Sequence, residues 1–304
     1  MSSVYEIVTE QILKRMEEAE HDGKPFHWVR PWTGGSRLAV SYTTLKPYRG
    51  VNQVLLDSGE YITYSALQTL KDKLPKDVAE RIQVKPHTSR HQVVFFNVKD
   101  VGDEDGEAVS KKKRFIFRYY NVYDIEDITN LKSNFPAVKH DHVTTESMQV
   151  LDSYISAYAE AEGLTVDVVE DGGSCFYRPS DHYVRVPDRR GFKSAYLYYD
   201  SVLHELIHST SKGLGRELSD TFGSDTYSKE ELIAEIGAQM LLNKFGIVSD
   251  VGDEEFNSVA YIHSWSSKLS GDKKLIVSAS SKASDAADYF YGVAERRIQL
   301  NRAV

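Results

Sequence analysis

The chain has 304 residues, of which 41% are hydrophobic and 27% charged, and its formal net charge is −8. This composition is typical of a globular protein with room for two domains. The sequence has no apolar run long enough for a membrane span. A single cysteine, Cys175, excludes an internal disulfide and a thiolate metal site. The N-terminus lacks the basic and apolar segments of a secretory signal, so we expect a cytoplasmic protein.

The charge is unevenly distributed along the chain. Residues 1–135 contain 20 basic and 19 acidic side chains (+1), whereas residues 136–304 contain 17 and 26 (−9). This difference favours a first domain over 1–135 and a second over 145–304. The polar segment between them is interpreted as a linker. Its two histidines, His140 and His142, have a spacing that could bind a metal, but a flexible loop is the favoured interpretation.

The N-terminal half has the pattern of an α+β fold with a small antiparallel sheet. Apolar residues at helical spacing predict a helix over 5–19, and a capped short helix is predicted over 65–70. Residues 92–96 and 114–123 read as strands. The acidic, glycine-containing segment 100–107 is interpreted as the loop that joins them into a hairpin.

Aromatic and basic side chains alternate in several parts of this half. This mixture suits single-stranded nucleic acid, because bases stack on rings while cations follow the phosphates. Two structural alternatives stay open. The tryptophans could be buried in the core, and the lysine run could be the solvent-exposed start of a strand. The candidate DNA-binding residues are Trp28, Arg30, Trp32, Tyr48, Arg49, Lys111, Lys112, Lys113 and Arg114, with Lys85 and Arg90 as further cations.

The C-terminal half is also predicted to mix helices and strands. A helix over 146–162 ends at Gly163, and three short strands follow, at 165–169, 175–178 and 183–187. Beyond them the sequence is mostly helical. The predicted helices cover 194–210, 228–242, 257–269 and 275–303.

The first of these long helices carries an HExxH motif, formed by His204, Glu205 and His208. Four residues span about one helical turn, so both imidazoles point the same way and can hold one Zn²⁺. Glu205 lies beside them and could take a proton from a water at the metal. The alternative is a core helix with two hydrogen-bonded histidines.

A catalytic zinc site needs a third protein ligand and one open position. Glu231 and Glu235 share a face of the next predicted helix, and we favour Glu231 as the ligand and Glu235 as its support. Two alternatives remain. Glu235 is itself the ligand, or Glu231 closes a capping box with Ser228.

Two further roles follow from the position of the motif. The strand that precedes the helix, residues 183–186, is a candidate edge strand for pairing with an extended peptide substrate. His263 could reach a substrate oxyanion, although a packed helical histidine is the favoured interpretation.

The combination of motifs resembles the ArdC-type antirestriction proteins over most of the chain. The N-terminal matches are 31–32, 48–52 with 55–56, 61–64 and 119–123. The C-terminal matches are 176–179, 204–208, Tyr227 with 230–235, and 286–289.

The resemblance implies a single-stranded-DNA-binding N-terminal domain and a zincin-like metallopeptidase C-terminal domain, carried on conjugative plasmids and related mobile elements. One departure is the segment 85–91, where the family usually has a Lys-Gly-Glu-like turn. No DNA contact is therefore carried over to that turn.

The leading hypothesis is a zinc-dependent peptidase, with Mn²⁺ as another metal, fused to a module that binds single-stranded DNA. One alternative is a DNA-binding protective protein with a structural or vestigial metal site. Another is a cytoplasmic metallopeptidase with no nucleic-acid role. The sequence does not identify the peptide substrate.

Overall fold

The computed structural model describes residues 3–24, 26–29, 38–101, 112–135, 143–170, 173–218, 225–247 and 259–303. Within these ranges the fold combines helices with three small sheets, as the α+β prediction requires. None of the described helices is both long and apolar enough to cross a bilayer.

The N-terminal half opens with a long helix and continues into a mixed four-stranded sheet. The sheet has the order β1-β2-β5-β4, in which β1 and β2 are parallel and the other pairs are antiparallel. Two short strands, β3 and β6, pair separately. The elements are α1 (Val4–Asp22), β1 (Ala39–Ser41), α2 (Val51–Leu55), β2 (Gly59–Ile62), α3 (Tyr64–Lys71), α4 (Lys76–Ala79), β3 (Gln83–Val84), β4 (His91–Val101), β5 (Lys112–Asp124) and β6 (Ile128–Thr129).

The C-terminal half is a three-stranded sheet covered by long helices. The sheet order is β7-β9-β8, with β7 parallel and β8 antiparallel to the central strand. The elements are α5 (Thr145–Glu162), β7 (Thr165–Val169), β8 (Phe176–Arg178), β9 (Tyr183–Pro187), α6 (Ala195–Ser209), α7 (Ser211–Leu214), α8 (Asp225–Phe245), α9 (Val259–Gly271) and α10 (Leu275–Ala303).

One hydrophobic core runs through both halves. Val8, Ile12 and Met16 of α1 are buried in the same cluster as residues of α6, α8, α9 and α10. At the joint, the Gly50 amide donates to Ser284 Oγ of α10 at 2.8 Å. Gly50 has a φ of +59°, a conformation that glycine adopts without strain. The two halves are therefore packed together rather than connected by a linker alone.

Candidate metal centre

Helix α6 fixes the two histidines of the HExxH motif. Ser194 caps the helix by accepting a hydrogen bond from the Leu197 amide at 3.2 Å, and Leu203 and Ile207 are fully buried. This burial sets the rotation of the helix. His204 and His208 consequently present their Nε2 atoms to the same point, 3.1 Å apart.

Helix α8 brings a carboxylate to these two nitrogens. The Glu231 oxygens lie 3.5 Å from His204 Nε2 and 3.6 Å from His208 Nε2. The ligand atoms of the three residues all lie within 4.8 Å of one another. The two helices approach closely because Gly237 faces Ile207, where an added Cβ would come within 3.1 Å of the isoleucine side chain. Two imidazoles and one carboxylate on neighbouring helices are the donors of a catalytic zinc site.

Glu235 lies outside the group of converging ligand atoms, the position expected of a supporting residue rather than of a ligand. Among the described residues, the group that could hold a metal contains His204, His208 and Glu231 but not Glu235. Glu235 instead accepts a hydrogen bond from Tyr261 of α9 and interacts with His204 only through its charge. Burial raises the pKa of Glu235. The capping-box alternative for Glu231 also fails, because Ser228 lies inside α8, which covers Asp225–Phe245.

Glu230 supports the histidines in a way that the sequence analysis missed. Its Oε1 lies 3.3 Å from His208 Nδ1, and Arg216 donates to both of its oxygens, at 2.8 and 3.2 Å. The side chains of Glu230 and Arg216 are only 8% and 6% exposed. A carboxylate at Nδ1 orients a metal-binding imidazole and leaves Nε2 free to accept the ion. The adjacent acidic residues Glu230 and Glu231 are visible in the sequence, but the role of Glu230 depends on Arg216, which lies 14 residues away.

Glu205 lies in the wall of an open cleft beside these ligands. Its Oε2 accepts a hydrogen bond from the Tyr177 amide of β8 at 2.8 Å. The cleft has a volume of about 340 Å³, within the usual range for ligand sites. Its lining includes Tyr227, which donates to Glu231. The other lining residues are Cys175, Phe176, Tyr177, Pro179, His204, Glu205, His208, Leu218, Glu230 and Glu231.

The charges around His204 suit a cation. Burial alone would lower the pKa of His204, but the hydrogen bond to Glu231 and the charges of Glu235 and Glu205 outweigh it and raise that pKa to about 9. On the preceding turn, burial and the charge of Glu235 raise the pKa of Asp200 to about 7. Several carboxylates therefore surround two imidazoles, an excess of negative charge that a divalent ion would neutralise. The donor set fits such an ion.

The predicted edge strand is wrong. Residues 183–186 belong to β9, which is the central strand and pairs with β7 on one side and β8 on the other. The strand that borders the cleft is β8. The reason is that β7 pairs in parallel with the edge of β9 that β8 leaves free, so both edges of β9 are occupied.

Two of the remaining C-terminal expectations concern single side chains. His263 is 65% exposed and lies 3.0 Å from Glu20 of α1, so the interpretation as a packed histidine is wrong. Cys175 is half-buried beside β8, and burial raises the pKa of its thiol to about 11. It therefore stays protonated at neutral pH.

The candidate DNA-binding residues are placed in several environments. Trp28 is fully buried and donates through Nε1 to Tyr261 at 3.0 Å, so it is a core anchor and offers no face to a base. Arg49 forms exposed ion pairs with Asp285 and Asp288 of α10, at 2.9 and 2.5 Å. Tyr48 is half-buried against Tyr61. Arg30, Trp32 and Lys111 lie outside the described residues, as do His140 and His142, and Lys112, Lys113 and Arg114 are described only as backbone of β5.

Comparison with known families places a match on each half of the chain. Residues 2–123 match the family model described as the N-terminal domain of anti-restriction factor ArdC. Residues 155–282 match the family model described as zincin-like metallopeptidase. The second range contains the whole cleft and its three converging ligands.

Several proteins are similar to the chain over nearly its full length. The y4eC protein of Sinorhizobium fredii is 28% identical, covering 95% of this chain and 92% of the relative. Two DNA primases called TraC from Escherichia coli are 26% and 28% identical over 97% and 98% of this chain. This chain spans only 20% and 28% of the length of those primases.

Two crystal structures of the antirestriction protein ArdC from the R388 plasmid resemble this fold. The metal-free structure has a TM-score of 0.69 with 27% identity and covers 97% of this chain and 99% of that chain. The Mn(II)-bound structure has a TM-score of 0.67 with 27% identity and covers 96% and 98%.

The fold and the cleft define a zincin-like metallopeptidase domain joined to a second, N-terminal part. The N-terminal family match and the two plasmid structures make the assignment more specific, and the chain belongs to the ArdC-type antirestriction proteins. This confirms both the resemblance seen in the motifs and the predicted α+β fold with a zincin-like domain.

Proposed function

We propose that the protein is a divalent-metal-dependent peptidase joined to a single-stranded-DNA-binding part, and that it serves antirestriction for a mobile element. The observation that carries the peptidase proposal is the convergence of His204, His208 and Glu231 beside Glu205 in an open cleft. The Mn(II)-bound structure of ArdC from the R388 plasmid supports a divalent metal as the cofactor. Zinc is the proposed ion and Mn²⁺ the alternative, because imidazole and carboxylate ligands suit both.

The chemistry is divided between the ion and Glu205. A bound metal would polarise a peptide carbonyl and make a water more acidic. The Glu205 carboxylate then accepts the proton of the attacking water and passes it to the leaving amine. Tyr177 holds this carboxylate at the cleft wall through its amide. Glu230 keeps the His208 proton on Nδ1, so that Nε2 can act as a ligand.

The substrate is proposed to be an extended peptide segment. Strand β8 is an edge of its three-stranded sheet and borders the cleft, and an extended peptide can add to such an edge through main-chain hydrogen bonds. The outward amide of Tyr177 is held by Glu205. A substrate that pairs with this amide would release Glu205 for proton transfer.

The peptidase proposal is tested by the substitution Glu205→Gln, with Glu217→Gln as the matched control. Glu217 is exposed and is not part of the cleft lining. Glu205→Gln is expected to retain bound metal and to lower cleavage of a denatured protein or a peptide library about 100- to 10,000-fold. Glu217→Gln should behave as the wild type. Unchanged turnover in Glu205→Gln would refute the proposed role of Glu205.

The DNA-binding proposal is supported by the match of residues 2–123 to the ArdC N-terminal family. It is tested by binding an oligothymidine at several salt concentrations. The logarithm of the binding constant should fall linearly with the logarithm of the salt concentration, because phosphate contacts release counterions. Absence of binding would favour a peptidase with no nucleic-acid role. DNA protection that survives Glu205→Gln would favour a DNA-binding protein with a structural metal site.

A further inference from the structure

Strands β4 and β5 form a two-stranded ribbon that extends beyond the rest of their sheet. They pair continuously from His91 opposite Val122 to Val101 opposite Lys112. Strand β2 pairs with β5 only at Asp124 and Tyr123. Over the described part of the chain, the remainder of β5 has β4 as its one strand partner. Over most of its length the ribbon is therefore only two strands wide in the described part of the chain.

One face of this ribbon changes from buried to exposed along its length. The register places Val93 opposite Tyr120 and Phe95 opposite Arg118, and side chains two residues apart in a strand share a face. Near the sheet, Val93 is fully buried. Tyr120, directly opposite Val93, is nevertheless 37% exposed. At the next pair on this face, Phe95 is 48% exposed and Arg118 is also exposed. We call Phe95, Arg118 and Tyr120 the ribbon face.

The spacing on the ribbon face matches the requirements of unpaired bases. Directly opposed residues such as Phe95 and Arg118 have Cβ atoms about 5 Å apart, and diagonal neighbours such as Phe95 and Tyr120 are about 7–8 Å apart. The result is two rings with a guanidinium beside them. Bases stack on aromatic rings presented by a sheet, while arginine binds phosphate or stacks in turn. A duplex cannot use such rings, because its bases are already stacked.

The surroundings of the ribbon face extend the same chemistry. Tyr48, which the sequence analysis selected as a DNA contact, lies near enough to Tyr120 to interact with it electrostatically. In the sequence, β5 begins with Lys112, Lys113 and Arg114. Aromatic and basic residues thus occur along one strand. This distribution suits a ligand that carries both negative charges and planar bases better than it suits an apolar protein partner.

Addition of a peptide strand to β4 is disfavoured next to the ribbon face. The Asn52 side chain donates to the Val94 carbonyl at 2.9 Å and accepts from the Val94 amide at 2.7 Å. Its amide therefore occupies the main-chain groups that an added strand would need at this residue. A ligand at this point would therefore bind to the face of the ribbon rather than to the edge of β4.

We propose that the ribbon face is the surface on which single-stranded DNA stacks its bases. This rests on the proposed DNA-binding function and specifies the surface that performs it. Phe95 and Tyr120 each stack one base, and Arg118 contacts the phosphate or a base between them. Neither Trp28 nor Arg49 is needed for this contact, since one is buried and the other is paired with α10.

The test measures binding of a fluorescent oligothymidine to the full chain. Phe95→Ala and Tyr120→Ala should each weaken binding about 5- to 150-fold, the usual effect of losing one stacked base. Phe95→Trp should retain the wild-type affinity, because it keeps a ring. Arg118→Gln should reduce the slope of binding against salt by about one contact. Tyr64→Ala is the control, because Tyr64 is 57% exposed on α3 and should not affect binding.

The outcomes separate this inference from the function on which it rests. If the wild type does not bind oligothymidine, both the DNA-binding function and the ribbon face are refuted. If the wild type binds and the two alanine variants bind equally well, only the ribbon face is refuted. Equal losses for single-stranded and duplex DNA would also refute it, because stacking requires unpaired bases. Metal affinity, measured in parallel, should be unchanged in every ribbon variant and so reports correct folding.

Discussion

The substitution Glu230→Gln tests how the metal centre is held. Glu230 uses both of its oxygens: Oε1 faces His208 Nδ1 and Arg216 Nη2, and Oε2 accepts from Arg216 Nε. Glutamine has nearly the same shape but only one acceptor oxygen. With its oxygen at the Oε1 position it still accepts from His208, but in either orientation its NH2 group faces one of the two Arg216 donors.

The expected magnitude follows from these contacts. If the amide nitrogen faces His208, the ring must place its proton on Nε2, the atom that should bind the ion. Loss of a carboxylate behind a metal-binding histidine typically costs about 10- to 100-fold in metal affinity. The Arg216 charge, 6% exposed, also loses its partner, and breaking such a buried pair destabilises a fold by about 3–5 kcal/mol.

Titration calorimetry with Zn²⁺ and Mn²⁺, together with thermal unfolding, separates the two effects. Arg216→Gln is the matched variant, because it breaks the same buried pair but leaves the carboxylate at His208. Both variants should lose stability, whereas only Glu230→Gln should lose most of its metal affinity. Equal losses of metal affinity in the two variants would refute the orienting role of Glu230 and point to general loosening of the site.

Two further predictions concern stability. Gly213→Ala should lower the free energy of unfolding by about 1–3 kcal/mol, because the new Cβ would lie 2.0 Å from the Tyr289 hydroxyl. Gly191→Ala, whose Cβ meets nothing within 4 Å, is the control, and equal effects on Tm would contradict the reasoning. Burial raises the pKa of Asp124 above its ordinary 3.8, so its ionisation costs stability as pH rises through the folded-state value. Asp124→Asn keeps the acceptor for the Glu126 amide and should raise Tm at neutral pH but not below pH 3.8; a shift independent of pH would contradict this.

The parts of the site that could be predicted from the sequence are those set by local geometry. His204 and His208 are four residues apart in one helix, and helical periodicity alone brings their rings together. The sequence favours Glu231 as the ligand but leaves Glu235 as an alternative, because both occupy the same face of α8. The axial position of α8 against α6 decides between them, and that position depends on packing contacts such as Gly237 against Ile207.

Other features depend on contacts between distant parts of the chain. The role of Glu230 requires Arg216, which follows a separate short helix. The edge strand beside the cleft could not be identified because strand order in a sheet is not a local property. Composition likewise does not distinguish a buried ring from an exposed one. For this reason the pattern that predicts Trp28 as a DNA contact points to a ring that the fold buries, and it does not single out Phe95 and Tyr120, which the fold leaves exposed.

The core shared by the two halves affects how any genetic map of this protein should be read. Val8, Ile12 and Met16 are buried against the C-terminal helices, although they belong to the half for which DNA binding is proposed. A mutation at these positions would weaken the scaffold behind the candidate metal ligands and so would impair both proposed activities together. Loss of function in an N-terminal mutant is therefore evidence for a role in DNA binding only when the purified variant still binds the metal ion.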